Sequence, residues 1–146
     1  MTGIYGLKAR RAREAGFSSR SRYELFMKMI LIVDDEEDFH RVLRRVLEPQ
    51  GYKIVSSLSA EEAMRLLEAV TPDLAILDWN LPGKTGLELA KILKQDPKFR
   101  KIPLIMYTIR ESEKDQLDAY SHDIQFFLNK PVESAVLIAK VKQLLP

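Results

Sequence analysis

The chain is predicted to be an α/β protein with a doubly wound parallel sheet, in which five strands alternate with five helices in a (βα)5 arrangement. Three observations point there. Short runs such as MILIV, LAIL and LIMYT are apolar without interruption, as strands covered on both faces are. Between them lie segments with apolar residues at i, i+3, i+4 and i+7, the stripe of an amphipathic helix. The two kinds of segment alternate from residue 29 to residue 145, and such units imply right-handed crossovers that return to one sheet with helices on both faces.

MILIV (29–33) is the first strand, and Asp34, Asp35, Glu36, Glu37 and Asp38 follow it. Phe39, Val42, Leu43, Val46 and Leu47 form the apolar stripe of the first helix, with Arg41, Arg44 and Arg45 facing out, and Pro49 and Gly51 stop it. His40, like His122, is expected on a solvent-facing helix surface, and Asp38 as a charge favourable to a helix N-terminus. KIVSS (53–57) is a second strand, more polar and so nearer an edge. Ser59 and Glu62 make a capping-box pair for a helix burying Ala63, Met64, Leu66, Leu67 and Val70, which Thr71 and Pro72 end. The third strand is Asp73–Leu77. A helix from about Gly86 to Lys94 buries Leu87, Leu89, Ala90 and Leu93; LIMYT (104–108) is the fourth strand. A weakly apolar, acidic helix over about Ser112–Ser121, the strand IQFFL (124–128) and a helix over about Glu133–Leu145 complete the series.

Composition limits the chemistry. A chain of 146 residues, 46% hydrophobic, can bury one core, so one domain is expected over 29–146. Without cysteine there is no disulfide, thiolate nucleophile or cysteine-based zinc site, and two isolated histidines make a poor metal cage. No run reaches the roughly 18–20 apolar residues of a membrane span, and the N-terminus lacks an apolar signal core, so a cytoplasmic protein is expected. Residues 1–28 hold seven Lys or Arg against two Glu, and the remainder 16 basic against 19 acidic residues. This leader reads as a poorly ordered basic arm. Arg10, Arg11, Arg13, Arg20 and Arg22 could touch nucleic acid or an anionic membrane, but short basic arms are usually just solvated, and nucleic acid is not the expected partner.

The stretch LAILDWNLPGKTG (74–86) carries the clearest functional signal. A carboxylate, Asp78, stands where a buried strand stops and a loop rich in turn formers (Pro82, Gly83, Gly86) begins. In an open parallel sheet the carboxyl ends of the strands form the ligand crevice, so Asp78 is placed for chemistry.

ILIVDDE, LAILDWNLPGKTG, IPLIMYT and FFLNKPV, in that order and at those intervals, resemble the receiver domain of two-component response regulators, the CheY-like family. The resemblance covers about residues 29–145. It implies a flavodoxin-like sheet in strand order 2-1-3-4-5, with Asp34, Asp35 and Asp78 converging from two neighbouring central strands. Carboxylates that close repel one another, and an all-oxygen set suits Mg²⁺. By the resemblance Asp35, Asp78 and the backbone carbonyl of Asn80 bind the metal directly and Asp34 acts through water. Asp78 would be the phosphoacceptor, taking a phosphoryl group from a sensor histidine kinase or phosphotransfer protein. Lys130, before a cis bond to Pro131, and the Thr108 hydroxyl would each meet a phosphoryl oxygen. Thr108 and Phe127 would form the switch, and the surface of the fourth helix, fifth strand and fifth helix would bind a downstream effector. Dimerisation through that surface is a family habit; monomer and dimer both stay open. Such a module is an enzyme only in catalysing its own transfer and hydrolysis.

Some positions depart from the family pattern. Ile109 is bulky where a small residue is usual, which would slow phosphoryl exchange; Arg110 lies where side chains affect water attack; Asp123 stands where Gly commonly ends the fourth helix. Phe127 lacks the hydroxyl that a Tyr would use. Ile109 and Asp123 motivate an alternative, a degenerate receiver that binds proteins independently of phosphorylation. A phosphatase with an aspartyl nucleophile ranks last, because Asp34 and Asp35 are adjacent where Asp-x-Asp is wanted. Trp79, next to Asp78, is expected to report ligand binding by its fluorescence.

Overall fold

In the computed structural model, which describes residues 26–109, 116 and 123–146, five strands form one parallel sheet in the order β2-β1-β3-β4-β5. The strands are β1 (Met29–Val33), β2 (Lys53–Ser57), β3 (Leu74–Leu77), β4 (Leu104–Thr108) and β5 (Phe126–Asn129). The helices are α1 (Glu37–Leu47), α2 (Ala60–Leu66), α3 (Gly86–Gln95) and a C-terminal helix (Ser134–Leu144). The basic arm through residue 25, Arg110, His122 and, apart from Gln116, the helix expected at Ser112–Ser121 lie outside the described residues.

Period-2 alternation along the strands sorts the core into two layers. Leu31, Val33, Ala75, Leu77, Leu104 and Met106 face α2 and α3, where they meet Ala60, Ala63, Leu67, Leu89, Ala90 and Leu93. Ile30, Ile32, Leu74, Ile76, Ile105 and Tyr107 face α1 and the C-terminal helix, where they meet Leu43, Leu47, Leu137 and Val141. Both faces of the central strands are therefore buried, which is why β1, β3 and β4 read as continuous apolar runs. KIVSS is the edge strand its polarity suggested.

The Ser59 cap works as read, its Oγ accepting from Glu62 N at 3.1 Å. Thr85, which the sequence reading did not single out, caps α3 in the same way, its Oγ1 accepting from Glu88 N at 3.1 Å. Gly51, at φ 93, closes the short 3-10 turn Glu48–Gln50 that ends α1. Two expectations need correction. His40 is buried, not solvent-facing: its Nε2–H donates to the Asp34 carbonyl at 2.6 Å. That contact turns α1 so that His40, Leu43 and Leu47 face the sheet, leaving Val42 50% exposed. In α2, Met64 lies at the surface and the helix stops at Leu66, because Glu68 and Ala69 donate to Arg65 and Leu66 in tighter i→i−3 turns.

Asp123 takes the left-handed conformation, φ 61, among the described residues the only non-glycine to do so. A side chain in that region costs about 1 kcal/mol that glycine does not lose. Its charge has one use, since burial lowers the pKa of Lys94 and the Asp123 carboxylate partly raises it again. Asp123→Gly is expected to raise stability by about 0.5–1 kcal/mol, seen as a thermal midpoint higher by a few degrees. A midpoint at or below that of the native protein would show that the carboxylate contributes more than the strain costs.

Candidate functional site

The site is built at the carboxyl edge of the sheet by backbone bonds that continue the ladders one residue past the strands. Asp34 N donates to Ser57 O at 3.1 Å, Asp78 N to Val33 O at 2.9 Å, and Lys130 N to Thr108 O at 2.7 Å. These bonds bring Asp34, Asp78, Thr108 and Lys130 to one crevice, and all four are buried. Asp35 is exposed beside them. Oxygen atoms of Asp34, Asp35 and Asp78 all lie within 4.8 Å of one another, close enough that the three carboxylates could hold a cation that takes oxygen ligands.

Lys130 crosses this cluster. Its Nζ is 2.5 Å from Asp34 Oδ2 and 3.3 Å from Asp78 Oδ2. The other oxygen of each carboxylate is held by main chain: Glu36 N donates to Asp34 Oδ1 at 2.9 Å, and Asn80 N to Asp78 Oδ1 at 3.2 Å. The Thr108 hydroxyl is hydrogen-bonded to Asp78 as well. Burial holds the Asp78 carboxyl above its ordinary pKa; Lys130 opposes that, the Asp34 charge adds to it, and the bonds from Asn80 and Thr108 oppose it again. Asp78 is thus a desolvated carboxylate kept ionisable by one ammonium and two donors.

The remaining expected residues fall around this centre. Asn80 is exposed just beyond Asp78, and the Lys130–Pro131 bond is cis. Phe127, half-buried, is opposite Met106 on β4 and so shares a face of the sheet with Thr108. Its ring meets Trp79 edge-on, with centroids 6.2 Å apart at 68°. Ile109 is 66% exposed, its bulk in solvent. Gly86 has a part beyond turn formation: its N donates to Trp79 O, and a Cβ added there would stand 1.9 Å from the Asp78 carbonyl oxygen. The start of α3 can therefore lie directly against the backbone of the acidic loop.

Sequence reasoning missed two aromatic residues at the ammonium and a histidine on the Asp34 main chain. Phe39 and Tyr107 pack edge-on at 6.2 Å and 88°, and Lys130 Nζ sits 3.7 Å from the Phe39 ring centroid. Each had been absorbed into a hydrophobic stripe, which conceals a polar contact made by an aromatic face. His40 could have been found from its spacing, three before Leu43 and seven before Leu47, the two most buried positions of α1.

Residues 30–142 match the response regulator receiver domain family. The phosphate regulon transcriptional regulatory protein PhoB of Rhizobium meliloti (strain 1021) is 37% identical over 116 residues, covering 80% of this chain and 51% of that protein. The alkaline phosphatase synthesis transcriptional regulatory protein PhoP of Bacillus subtilis (strain 168) is 34% identical over 118 residues, covering 81% and 48%. The chain spans about half the length of the curated relatives it matches. Among solved structures, the signal receiver domain of a signal transduction histidine kinase from Syntrophus aciditrophicus aligns with a TM-score of 0.75 at 35% identity, over 81% of this chain and 89% of that one. A two-component response regulator from Clostridium difficile aligns at 0.76 and 28%, over 82% and 96%.

Proposed function

We propose, from the premise that this chain belongs to the response regulator receiver domain family, that it accepts a phosphoryl group on Asp78 from a phosphohistidine of a sensor histidine kinase or phosphotransfer protein. The observation that carries the reading is the convergence of Asp34, Asp35, Asp78, Thr108 and Lys130 on one crevice. Asp34, Asp35, Asp78 and the Asn80 carbonyl would hold Mg²⁺, and the three clustered carboxylates fit such a hard cation. When bound, the ion supplies charge neutralisation for the phosphoryl oxygens.

The chain's own groups perform the rest. An Asp78 oxygen attacks phosphorus, the phosphorus–nitrogen bond breaks, and the donor imidazole leaves. Burial strips water from the nucleophile and limits later hydrolysis. Lys130, 3.3 Å from Asp78 Oδ2, is in reach of a phosphoryl oxygen, and the Thr108 hydroxyl exchanges its bond to the carboxylate for one to another oxygen. As Thr108 moves, Phe127 on the same face takes the vacated space and changes its packing against Trp79. β5 and the C-terminal helix, the described part of the expected surface of fourth helix, fifth strand and fifth helix, then present a different face to a downstream effector. This chemistry belongs in the cytoplasm, where kinases have ATP; no helix of the described residues is long and apolar enough to cross a membrane.

The test is phosphorylation by acetyl phosphate with Mg²⁺, read by intact mass, on the native protein and on Asp78→Asn. The native protein is expected to gain one phosphoryl group that hydroxylamine removes, and the variant none. Trp79 emission is expected to change on the same timescale. A native protein that gains no mass, and whose emission is unmoved by beryllofluoride with Mg²⁺, would leave the phosphorelay role without support.

A further inference from the structure

We propose that Phe39 is a positioning residue for Lys130, its ring holding the ammonium by a cation–π contact at the point between Asp34 and Asp78 from which it would meet the phosphoryl group. The inference rests on the phosphoacceptor reading of the site. The ammonium lies 3.7 Å from the Phe39 centroid and 5.6 Å from that of Tyr107, so one aromatic face touches it while the second ring closes the side. Distances of this order are where the ring quadrupole attracts a cation, and the attraction grows when the cation is stripped of water. Lys130 is 7% exposed, so little water competes.

The ring is itself fixed in two ways. Tyr107 meets it edge-on at 6.2 Å and 88°, and the Tyr107 side chain is hydrogen-bonded to the backbone of Val132, two residues beyond the lysine. Along the backbone His40, the next residue of α1, bonds the Asp34 carbonyl at 2.6 Å and so ties the first turn of the helix to the loop after β1. The first turn of α1 thus touches both partners of the short ion pair, the main chain of Asp34 through His40 and the ammonium of Lys130 through Phe39. Lysine is a flexible point charge on a four-carbon stem, and two carboxylates alone would let its head move between them. A ring beneath the head removes that freedom.

Phe39→Leu keeps apolar bulk and removes the ring; Phe39→Tyr keeps the ring. Two readouts separate positioning from packing. In the native protein without any phosphate source, the Lys130 ε-methylene proton resonances are expected upfield, shielded by the ring, unmoved in Phe39→Tyr and returned to ordinary lysine values in Phe39→Leu. With acetyl phosphate and Mg²⁺, Phe39→Leu is expected to phosphorylate about tenfold more slowly, with Phe39→Tyr restoring the native rate. An unshifted Lys130 in the native protein, or a Phe39→Leu protein that phosphorylates at the native rate, overturns the proposal. If the native protein does not phosphorylate at all, the phosphoacceptor reading fails instead, and the resonance shift alone decides whether Phe39 holds the ammonium.

Discussion

Gly86→Ala is expected to destabilise the protein by about 3 kcal/mol, although alanine is the better helix former, because Gly86 is buried against the acidic loop. Alanine normally gains over glycine inside a helix, by about 1 kcal/mol. Here the added Cβ would lie 1.9 Å from the Asp78 carbonyl oxygen, 2.8 Å from the carbonyl carbon and 3.1 Å from Trp79 Cα. These are backbone atoms with nothing flexible to yield, so either α3 withdraws or the acidic loop does. Both moves strain the Gly86 N to Trp79 O bond and shift Asp78. The control is Gly51→Ala, where φ is 93 and no atom stands within 4 Å of the new Cβ; that change costs only the left-handed conformation, about 1 kcal/mol. Urea unfolding of the two variants should separate them clearly. Equal midpoints would mean that α3 slides away from the loop at little cost.

Lys130→Met is expected to cost about 3 kcal/mol near neutral pH and much less near pH 4. The substitution keeps most of the stem and leaves Asp34 and Asp78, at 2% and 6% exposure, facing each other without the ammonium. Breaking a buried ion pair from one side is far more damaging than never having had one. The pH dependence follows from Asp78, which burial already holds above its ordinary value near 3.8 against the pull of Lys130. A carboxyl whose pKa rises on folding stabilises the fold while protonated. That contribution is complete below the ordinary value and is lost as pH rises through the folded value. Removing Lys130 deletes the foremost lowering influence, so the folded value climbs and the deficit opens over a wider span towards neutrality. Chemical unfolding at the two pH values measures it, and Mg²⁺ should return part of the loss at neutral pH by replacing the missing positive charge. A deficit independent of pH would assign Lys130 to packing.

Much of this was legible in the sequence because the central strands are covered twice. β1, β2 and β4 begin and end where their apolar or β-branched runs do. Of the four buried residues at the crevice, the strand-end pattern pointed to Asp78, whereas Asp34, Thr108 and Lys130 came in through the resemblance to receiver domains. Where the reading slipped, a local interaction had overridden the pattern. β5 starts at Phe126, later than IQFFL suggests, because the Gln125 side chain rather than the main chain takes the Leu104 amide, its Oε1 accepting at 2.7 Å. The face of α1 was misjudged at His40, since periodicity counts apolar residues and cannot see an imidazole that donates to a carbonyl. The role of Gly86 was invisible for a different reason: turn propensity explains a glycine there well enough, and a close approach of two backbones leaves no mark in composition.

The alternation of β5 also divides responsibility within the molecule. Phe127 lies in the layer with α2 and α3, whereas Lys130, three residues on, reaches its aromatic neighbours in the layer with α1. Under the proposed function, the group that grips the phosphate answers to one side of the sheet and the group that reports it answers to the other. Substitutions accumulating behind Phe127 can retune who listens while the reactive chemistry stays intact, and changes around Phe39 can alter how fast the signal is written without altering its audience. Heredity can therefore edit the two traits separately.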